Sequence, residues 1–183
     1  MRKLLILLII VSVIGLLLSG GSYYAFRVFP HNALQEAETR PPLDAVIVPG
    51  YPSDSGRWSS LMKARVYWSY YLGIPSDHIF TETRAEHSTE NLYYSWHLAK
   101  EQGFSTLGLA SDPVQSIMLM PFANSENFDV RYLPIDFAIL KDIDKTDPAI
   151  AEQRAFVDSF RSLPERQNWW KRLKGTFGQQ IQR

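Results

Sequence analysis

The first hydrophobic run of the chain is long enough to cross a membrane. Residues 4–18 are aliphatic at all but two positions. Counting on through Tyr23 and Tyr24 to Phe26 gives about 20 residues, the length that a hydrocarbon core of roughly 30 Å requires. The pattern predicts one N-terminal transmembrane helix within residues 1–28.

The charges beside this run predict its orientation. Arg2 and Lys3 stay in the cytosol by the positive-inside rule, and Arg27 follows the aromatic residues that suit the outer interface. An uncleaved signal-anchor is the leading interpretation, and a signal peptide cleaved near residues 19–22 is the alternative. In both cases the rest of the chain is exported.

A polar stretch without a hydrophobic period comes next. Residues 29–42 contain three prolines, which favour irregular structure. We predict a juxtamembrane linker here, then a globular domain over residues 43–140 and a helical tail packed on it over residues 141–183.

Within the domain, short apolar runs alternate with segments of helical period. The predicted strands span residues 44–50, 76–83, 106–110 and 130–135, and the first of them is taken as the central one. The predicted helices span residues 59–72 and 88–100, with a turn or more in 116–122 and two pieces in 149–172 broken at Pro164. This alternation predicts an α/β fold with a reduced parallel sheet of about four strands.

Composition limits the chemistry. The formal net charge is zero, so no general field attracts nucleic acid, and we expect no nucleic-acid partner. A chain without cysteine has no disulfide, thiolate metal site or cysteine nucleophile. The four histidines lack the spacing of zinc ligands, so we expect no metal site, and the sequence leaves any cofactor unknown.

Ligands of an open α/β sheet bind where the carboxyl ends of strands meet helix N-termini. That rule selects three loops, over residues 50–59, 82–91 and 111–116. The first loop matches neither the phosphate-binding loop nor the dinucleotide fingerprint, so a turn without a ligand explains it equally well.

The second loop carries more chemistry. Ser88 or Thr89 opens a helix whose free N–H groups favour an anion, and Asn91 lies in its first turn. Ordinary capping without a ligand is the alternative. Glu82 is either a general base or a partner for Arg84.

Two further features have two readings each. His87 is either a proton shuttle or a solvated loop histidine. The tail around Trp169 and Trp170 mixes indoles with cations, which suits a solvated helix face or a segment lying on anionic lipid.

Several segments, in their order and spacing, resemble one bacterial protein family. They are DAVIVPG at 44–50, Arg65 in the first helix, GIPSDHIFTET at 73–83, HSTENLYYSWHLAKEQGF at 87–104 and SDPVQS at 111–116. Together they resemble the envelope family of unknown function that includes SanA, ElyC and YdcF.

The resemblance implies a Rossmann-like, three-layer domain on the bacterial inner (cytoplasmic) membrane, facing the periplasm. It also implies a role in the envelope barrier or in peptidoglycan and lipid-carrier metabolism. By the motif match, the polar cluster of the family falls on Gly50, Arg65, Glu82, Thr89, Asn91 and Asp112.

The chain departs from the family pattern in two places. Leu72 runs straight into Gly73, where the family has a further strand and helix. Gln115 and Met118 stand where the family often has histidine and arginine, and neither can replace a general acid or an anion-binding cation.

The leading hypothesis is a membrane-anchored envelope protein that binds a small anionic ligand, a nucleotide or a lipid-linked phosphate. Arg65 would neutralise the anion, Ser88 and Thr89 would cradle it, and Glu82 or Asp112 would be the candidate base. The residues leave open whether catalysis occurs. The alternatives are a non-enzymatic envelope interaction module with a vestigial pocket and an envelope protein partner, or a degenerate product that folds poorly.

Overall fold

The computed structural model describes residues 2–51, 57–73, 80–146 and 163–182. The elements in chain order are α1 (Arg2–Tyr23), a π-helical turn (Tyr24–Val28), α2 (Phe29–Thr39), β1 (Ala45–Ile47), α3 (Ser60–Tyr71), α4 (Ser88–Glu101), β2 (Leu107–Leu109), α5 (Pro113–Ser125), β3 (Val130–Tyr132), α6 (Phe137–Leu140), α7 (Leu163–Arg166) and α8 (Trp169–Thr176).

Three parallel strands form the sheet of the described residues, in the order β1-β2-β3. The α/β fold with a parallel sheet is therefore confirmed. The prediction that the first strand is central was wrong within this sheet, because β2 has a neighbour on each side and is the one strand buried along its whole length. Most of the strand predicted over 76–83 lies outside the described residues, and residues 80–83 are irregular.

Helices pack on both faces of the sheet because successive strand residues point to opposite sides. Ile47 joins a cluster with Leu92 of α4 and Leu119 of α5. Val46 joins a second cluster with Trp68 of α3, and Leu140 of α6 and Leu34 of α2 belong to it too. The apolar runs of the strands are thus covered on both sides.

Local capping explains the boundaries of α3 and α4. Ser59 caps α3, since its hydroxyl accepts a hydrogen bond of 3.1 Å from the Met62 N–H, and Gly103 ends α4 with a φ of +85°. In the tail Pro164 lies inside α7, and the break falls between α7 and α8. The part of the predicted tail helix up to residue 162 lies outside the described residues.

One helix runs from Lys3 to Thr39, and its apolar part is long and apolar enough to cross a membrane. The prediction of an irregular linker was wrong for residues 29–39, which form α2. The π-helical turn ends at Val28, two residues before Pro30. Proline has no N–H to donate and crowds the preceding turn, so the helix continues with altered hydrogen bonding instead of ending.

The helix α2 runs antiparallel to the strands. The ring of Phe26 lies 6.4 Å from the ring of Phe137, which follows the carboxyl end of β3. At the other end of α2, Arg131 of β3 donates a hydrogen bond of 2.6 Å to the Pro41 carbonyl. The carboxyl ends of the strands therefore point back toward α1.

The opposite end of the sheet is held by one exposed carboxylate. Asp44 Oδ2 accepts hydrogen bonds of 2.8 Å from the Ser105 N–H, the Ser105 hydroxyl and the Thr106 N–H. These donors favour the charged form, and the hydrogen bond from the Thr106 backbone is the largest of the causes that hold the pKa of Asp44 well below its ordinary value of 3.8.

We predict that Asp44→Asn lowers the melting temperature at neutral pH but not in strong acid. A lowered folded-state pKa means that the carboxylate stabilises the fold fully above 3.8 and loses this effect as the pH falls through the folded-state pKa. Thermal denaturation of both proteins in detergent, from neutral pH downward, measures this difference. Asp129→Asn, at another exposed position at this end of the sheet, is the control. A difference that stays constant in acid would contradict the prediction.

Candidate functional site

Arg65 lies at the centre of the candidate site. It comes from α3, its side chain is 1% exposed, and its Nη2 lies 2.6 Å from Asp112 Oδ2. Its Nη1 donates to the carbonyls of Pro49 and Gly50 at 2.9 and 3.0 Å. A buried guanidinium needs such partners because burial removes it from water. The side chain thus joins α3 to the ends of β1 and β2.

Asp112 serves two neighbours at once. One carboxylate oxygen binds Arg65. The other accepts a hydrogen bond of 3.0 Å from the Gln115 N–H, so that Asp112 caps α5. Neither contact tests the predicted role as a base, because each carboxylate oxygen has a second lone pair. Its catalytic role therefore stays a prediction.

Gly50 and Asn91 are also brought together, as predicted. The Gly50 N–H donates to Asn91 Oδ1 at 3.2 Å, and Asn91 Nδ2 donates to the His87 carbonyl at 3.1 Å. Asn91 thereby ties the end of β1 to the start of α4. A Cβ atom on Gly50 would lie 3.5 Å from Asn91 Oδ1, an ordinary contact, so space does not require glycine there.

Ser88 belongs to the same cluster through residues that the sequence did not single out as site residues. Gln115 Nε2 donates to the Ser88 hydroxyl at 2.8 Å, and Gln115 Oε1 accepts from the Ser111 hydroxyl at 2.5 Å. Gln115 and Ser111 are four residues apart at a predicted strand end, the one signal that could have paired them. We call Gly50, Arg65, Ser88, Asn91, Ser111, Asp112 and Gln115 the strand-end cluster.

Thr89 is directed away from this cluster. It is buried, and its hydroxyl donates a hydrogen bond of 2.7 Å to the carbonyl of Gly175 in α8. The tail therefore takes the hydroxyl that was expected to bind the ligand. Sequence alone does not show this, because Gly175 lies 86 residues further along the chain.

His87 is buried, so the interpretation as a solvated loop residue was wrong. Its Nε2 lies 3.1 Å from Gln167 Oε1, and a Cβ atom on Gly175 would come within 2.2 Å of its ring. Arg166, the residue before Gln167, donates a hydrogen bond to Glu86. This hydrogen bond is the largest cause that lowers the pKa of Glu86. The tail thus covers the start of α4.

Glu82 is bound within its own loop. Its carboxylate accepts hydrogen bonds from the N–H groups of Arg84 and Ala85 at 2.5 and 3.1 Å. The expected partner Arg84 is thus bound through its backbone, while its guanidinium lies 4.2 Å from the Tyr94 ring centre. The role of Glu82 as a base stays a prediction.

Two polar atoms at this end of the sheet are buried without a hydrogen-bond partner. They are Nε of Arg65 and the hydroxyl of Ser116 in α5. Unpartnered buried polar atoms are rare and cost stability, so each is free to bind a ligand atom that reaches it. Among the described residues, no group of three histidine, aspartate or glutamate side chains is placed to hold a metal ion.

Two cavities lie beside the part of the long helix that follows α1. One of about 330 Å³ separates α2 from β3, and one of about 240 Å³ is lined by Phe26, Arg27, Phe137, Ala138 and Lys141. Tyr132 lines the first, and burial raises the pKa of its hydroxyl, which has no partner. Neither cavity is lined by a residue of the strand-end cluster.

We predict that Asp112→Asn lowers the free energy of unfolding by about 3 kcal/mol, because it leaves Arg65 buried without its anion. Asparagine caps helices as well as aspartate does, so the cap of α5 is retained. Thermal denaturation in detergent measures the loss.

The matched control is Asp136→Asn. Asp136 caps α6 by accepting from the Ala138 N–H at 2.8 Å and is equally buried. We expect it to lose less than about 1 kcal/mol, since the cap is again retained. Equal losses in the two variants would show that the ion pair adds no stability.

No protein-family model matches this chain, and neither a curated protein nor a solved structure was found to be similar to it.

Proposed function

We propose that this is a single-pass protein of the bacterial inner membrane whose Rossmann-like domain faces the periplasm and binds a small anionic ligand. The ligand is a nucleotide or a lipid-linked phosphate, and the process is envelope biogenesis, as in the SanA, ElyC and YdcF family. The resemblance of the motifs to that family supports the process. The contacts at the strand ends support the site.

The observation that carries the binding proposal is the strand-end cluster itself. It links the end of β1, the start of α4 and the start of α5 through an unbroken series of hydrogen bonds. Parallel sheets bind ligands at this end because helix N-termini and flexible loops meet there. The start of α4 has a capping box, in which the buried Glu90 carboxylate accepts from the His87 N–H at 3.2 Å. The N–H groups of Ser88 and Thr89 have no acceptor within the helix, and an anion suits them.

The charges of the cluster favour a ligand held by dipoles more than by net charge. Asp112 offsets the positive charge of Arg65, so the arginine alone does not attract a highly charged anion. What remains is the N-terminus of α4, the Ser88 hydroxyl and the unpartnered Nε of Arg65. These groups suit one phosphate of a larger ligand that also has apolar or neutral parts.

A second candidate is an interaction module without a ligand. It is favoured by the tail, which takes the Thr89 hydroxyl and the His87 ring, and by Trp169 and Trp170, which are 60% and 63% exposed. On this reading the pocket is vestigial, and an envelope protein binds the exposed indoles.

We predict that Ser88→Asp abolishes ligand binding without weakening the fold. An aspartate in the first turn of α4 suits the helix dipole and can still accept from Gln115, so the free energy of unfolding should change by less than about 1 kcal/mol. The same charge repels an anion at this position. The measurement is the melting temperature of the full chain in detergent with nucleotides, sugar nucleotides, S-adenosylmethionine and polyprenyl phosphate analogues.

Gln102→Glu is the matched control, because it adds the same charge at the exposed opposite end of α4. We expect one ligand class to raise the melting temperature of the wild type and of this control, but not that of Ser88→Asp. A ligand at 100 times its dissociation constant adds about 2.7 kcal/mol, which is a rise of several degrees. A rise that Ser88→Asp retains would place the ligand elsewhere, and no rise with any ligand would favour the interaction module.

A further inference from the structure

We infer that the carboxyl-end face of the sheet lies on the surface of the lipid bilayer. This face consists of the residues that follow the three strands and the helix turn beside them, namely Tyr51, Val114, Met118, Phe137, Lys141, Phe26 and Arg27. The inference rests on α1 crossing the membrane. It does not depend on the proposed ligand.

The direction of the membrane helix brings this face to the bilayer. Because α2 is antiparallel to β3, the chain of α1 continues past the carboxyl ends of the strands. Phe26, which touches Phe137, is two residues from Tyr24, a distance of about 3 Å along a helix. Tyrosines at the end of an apolar span lie at the level of the lipid headgroups. The contact with Phe26 therefore places Phe137 at the level of the lipid headgroups.

Exposed apolar residues follow each of the three strands within five residues of the strand end. At the carboxyl ends, Tyr51 follows β1 and is 45% exposed, Val114 follows β2 and is 45% exposed, and Phe137 follows β3 and is 38% exposed. Met118, one turn after Val114, is 61% exposed.

At the amino ends the residues close before the strands are polar, and Phe80 beside Phe104 is an exposed apolar side chain there. Asp44, Ser105 and Asp129 come just before the three strands, and all are exposed. Exposed apolar side chains gathered at one end of a domain indicate a contact surface. Of the two ends, the carboxyl end is the one that faces the membrane helix.

The charges on this face suit lipid headgroups. Arg27 and Lys141 line the 240 Å³ cavity together with Phe26 and Phe137. Aromatic rings beside lysine and arginine are the combination that anchors proteins at the headgroup level, where rings reach the acyl chains and cations meet phosphates. A bilayer thus suits both the aromatic and the cationic side chains of this face, without any movement of the domain relative to α2.

This arrangement decides what can reach the strand-end cluster. The cluster lies at the same end of the sheet, so it faces the headgroup region and not open water. A molecule anchored in the bilayer by its own apolar part would meet the site from the membrane side.

The absence of cysteine in the chain makes the test direct. The full chain is reconstituted in phosphatidylglycerol–phosphatidylcholine vesicles as single-cysteine variants labelled with bimane. Phe137→Cys and Met118→Cys report the carboxyl-end face, and Asp129→Cys reports the opposite end. Ser12→Cys, in the middle of α1, reports insertion of the helix. Quenching by spin-labelled lipid and by aqueous iodide is measured for each.

We expect spin-labelled lipid to quench the probes at Ser12, Phe137 and Met118, and iodide alone to quench the probe at Asp129. Iodide quenching at Phe137 and Met118 equal to that at Asp129, with Ser12 still quenched by lipid, would overturn the inference. It would show that the helix is inserted while the face points to water or to a protein partner. Failure of lipid to quench even Ser12 would overturn the inference at its first step.

Discussion

A buried guanidinium organises the domain. Arg65 is removed from water in the middle of α3, and it is stable there only if Asp112 and the two carbonyls after β1 surround it. This requirement holds the end of β1, the middle of α3 and the start of α5 at one point. The remaining polar contacts of the strand-end cluster follow, because Asp112 also starts α5 and thereby places Gln115 opposite Ser88.

The second constraint is the continuous helix of residues 3–39, which begins with the apolar helix α1. A helix that enters the domain without a flexible hinge imposes its direction on the sheet. Since α2 lies along β3 in the antiparallel sense, the end of the sheet that bears the candidate site is also the end nearest to α1. The orientation of the site relative to α1 thus follows from packing at the edge of the sheet.

Packing of the tail changes the meaning of two residues that resemble family motifs. Thr89 and His87 lie in the segment 87–104, one of those on which the resemblance rests, yet the residues of α8 and of the turn before it contact both internally. Ser88 between them remains half-exposed and bound to Gln115. Gln115 stands where the family often has histidine, and here it acts as a neutral link between two hydroxyls. Resemblance to a motif therefore does not by itself assign a ligand-binding role to each residue within it.

The sequence by itself determined the elements that depend on neighbours in the chain. The apolar N-terminal helix, the caps at Ser59 and Gly103, the parallel α/β pattern and the choice of strand-end loops all follow from local period and local hydrogen bonding. It also selected Gly50, Arg65, Asn91 and Asp112, which do meet.

Only the tertiary structure decided that β2 is central in the described sheet, that residues 29–39 are helical and that Thr89 faces the tail. Each of these depends on contacts between distant positions, such as His87 with Gln167, which are 80 residues apart. Periodicity shows which face of an element is apolar, but it carries no information on which other element covers that face. That choice is made by the packing of the whole chain.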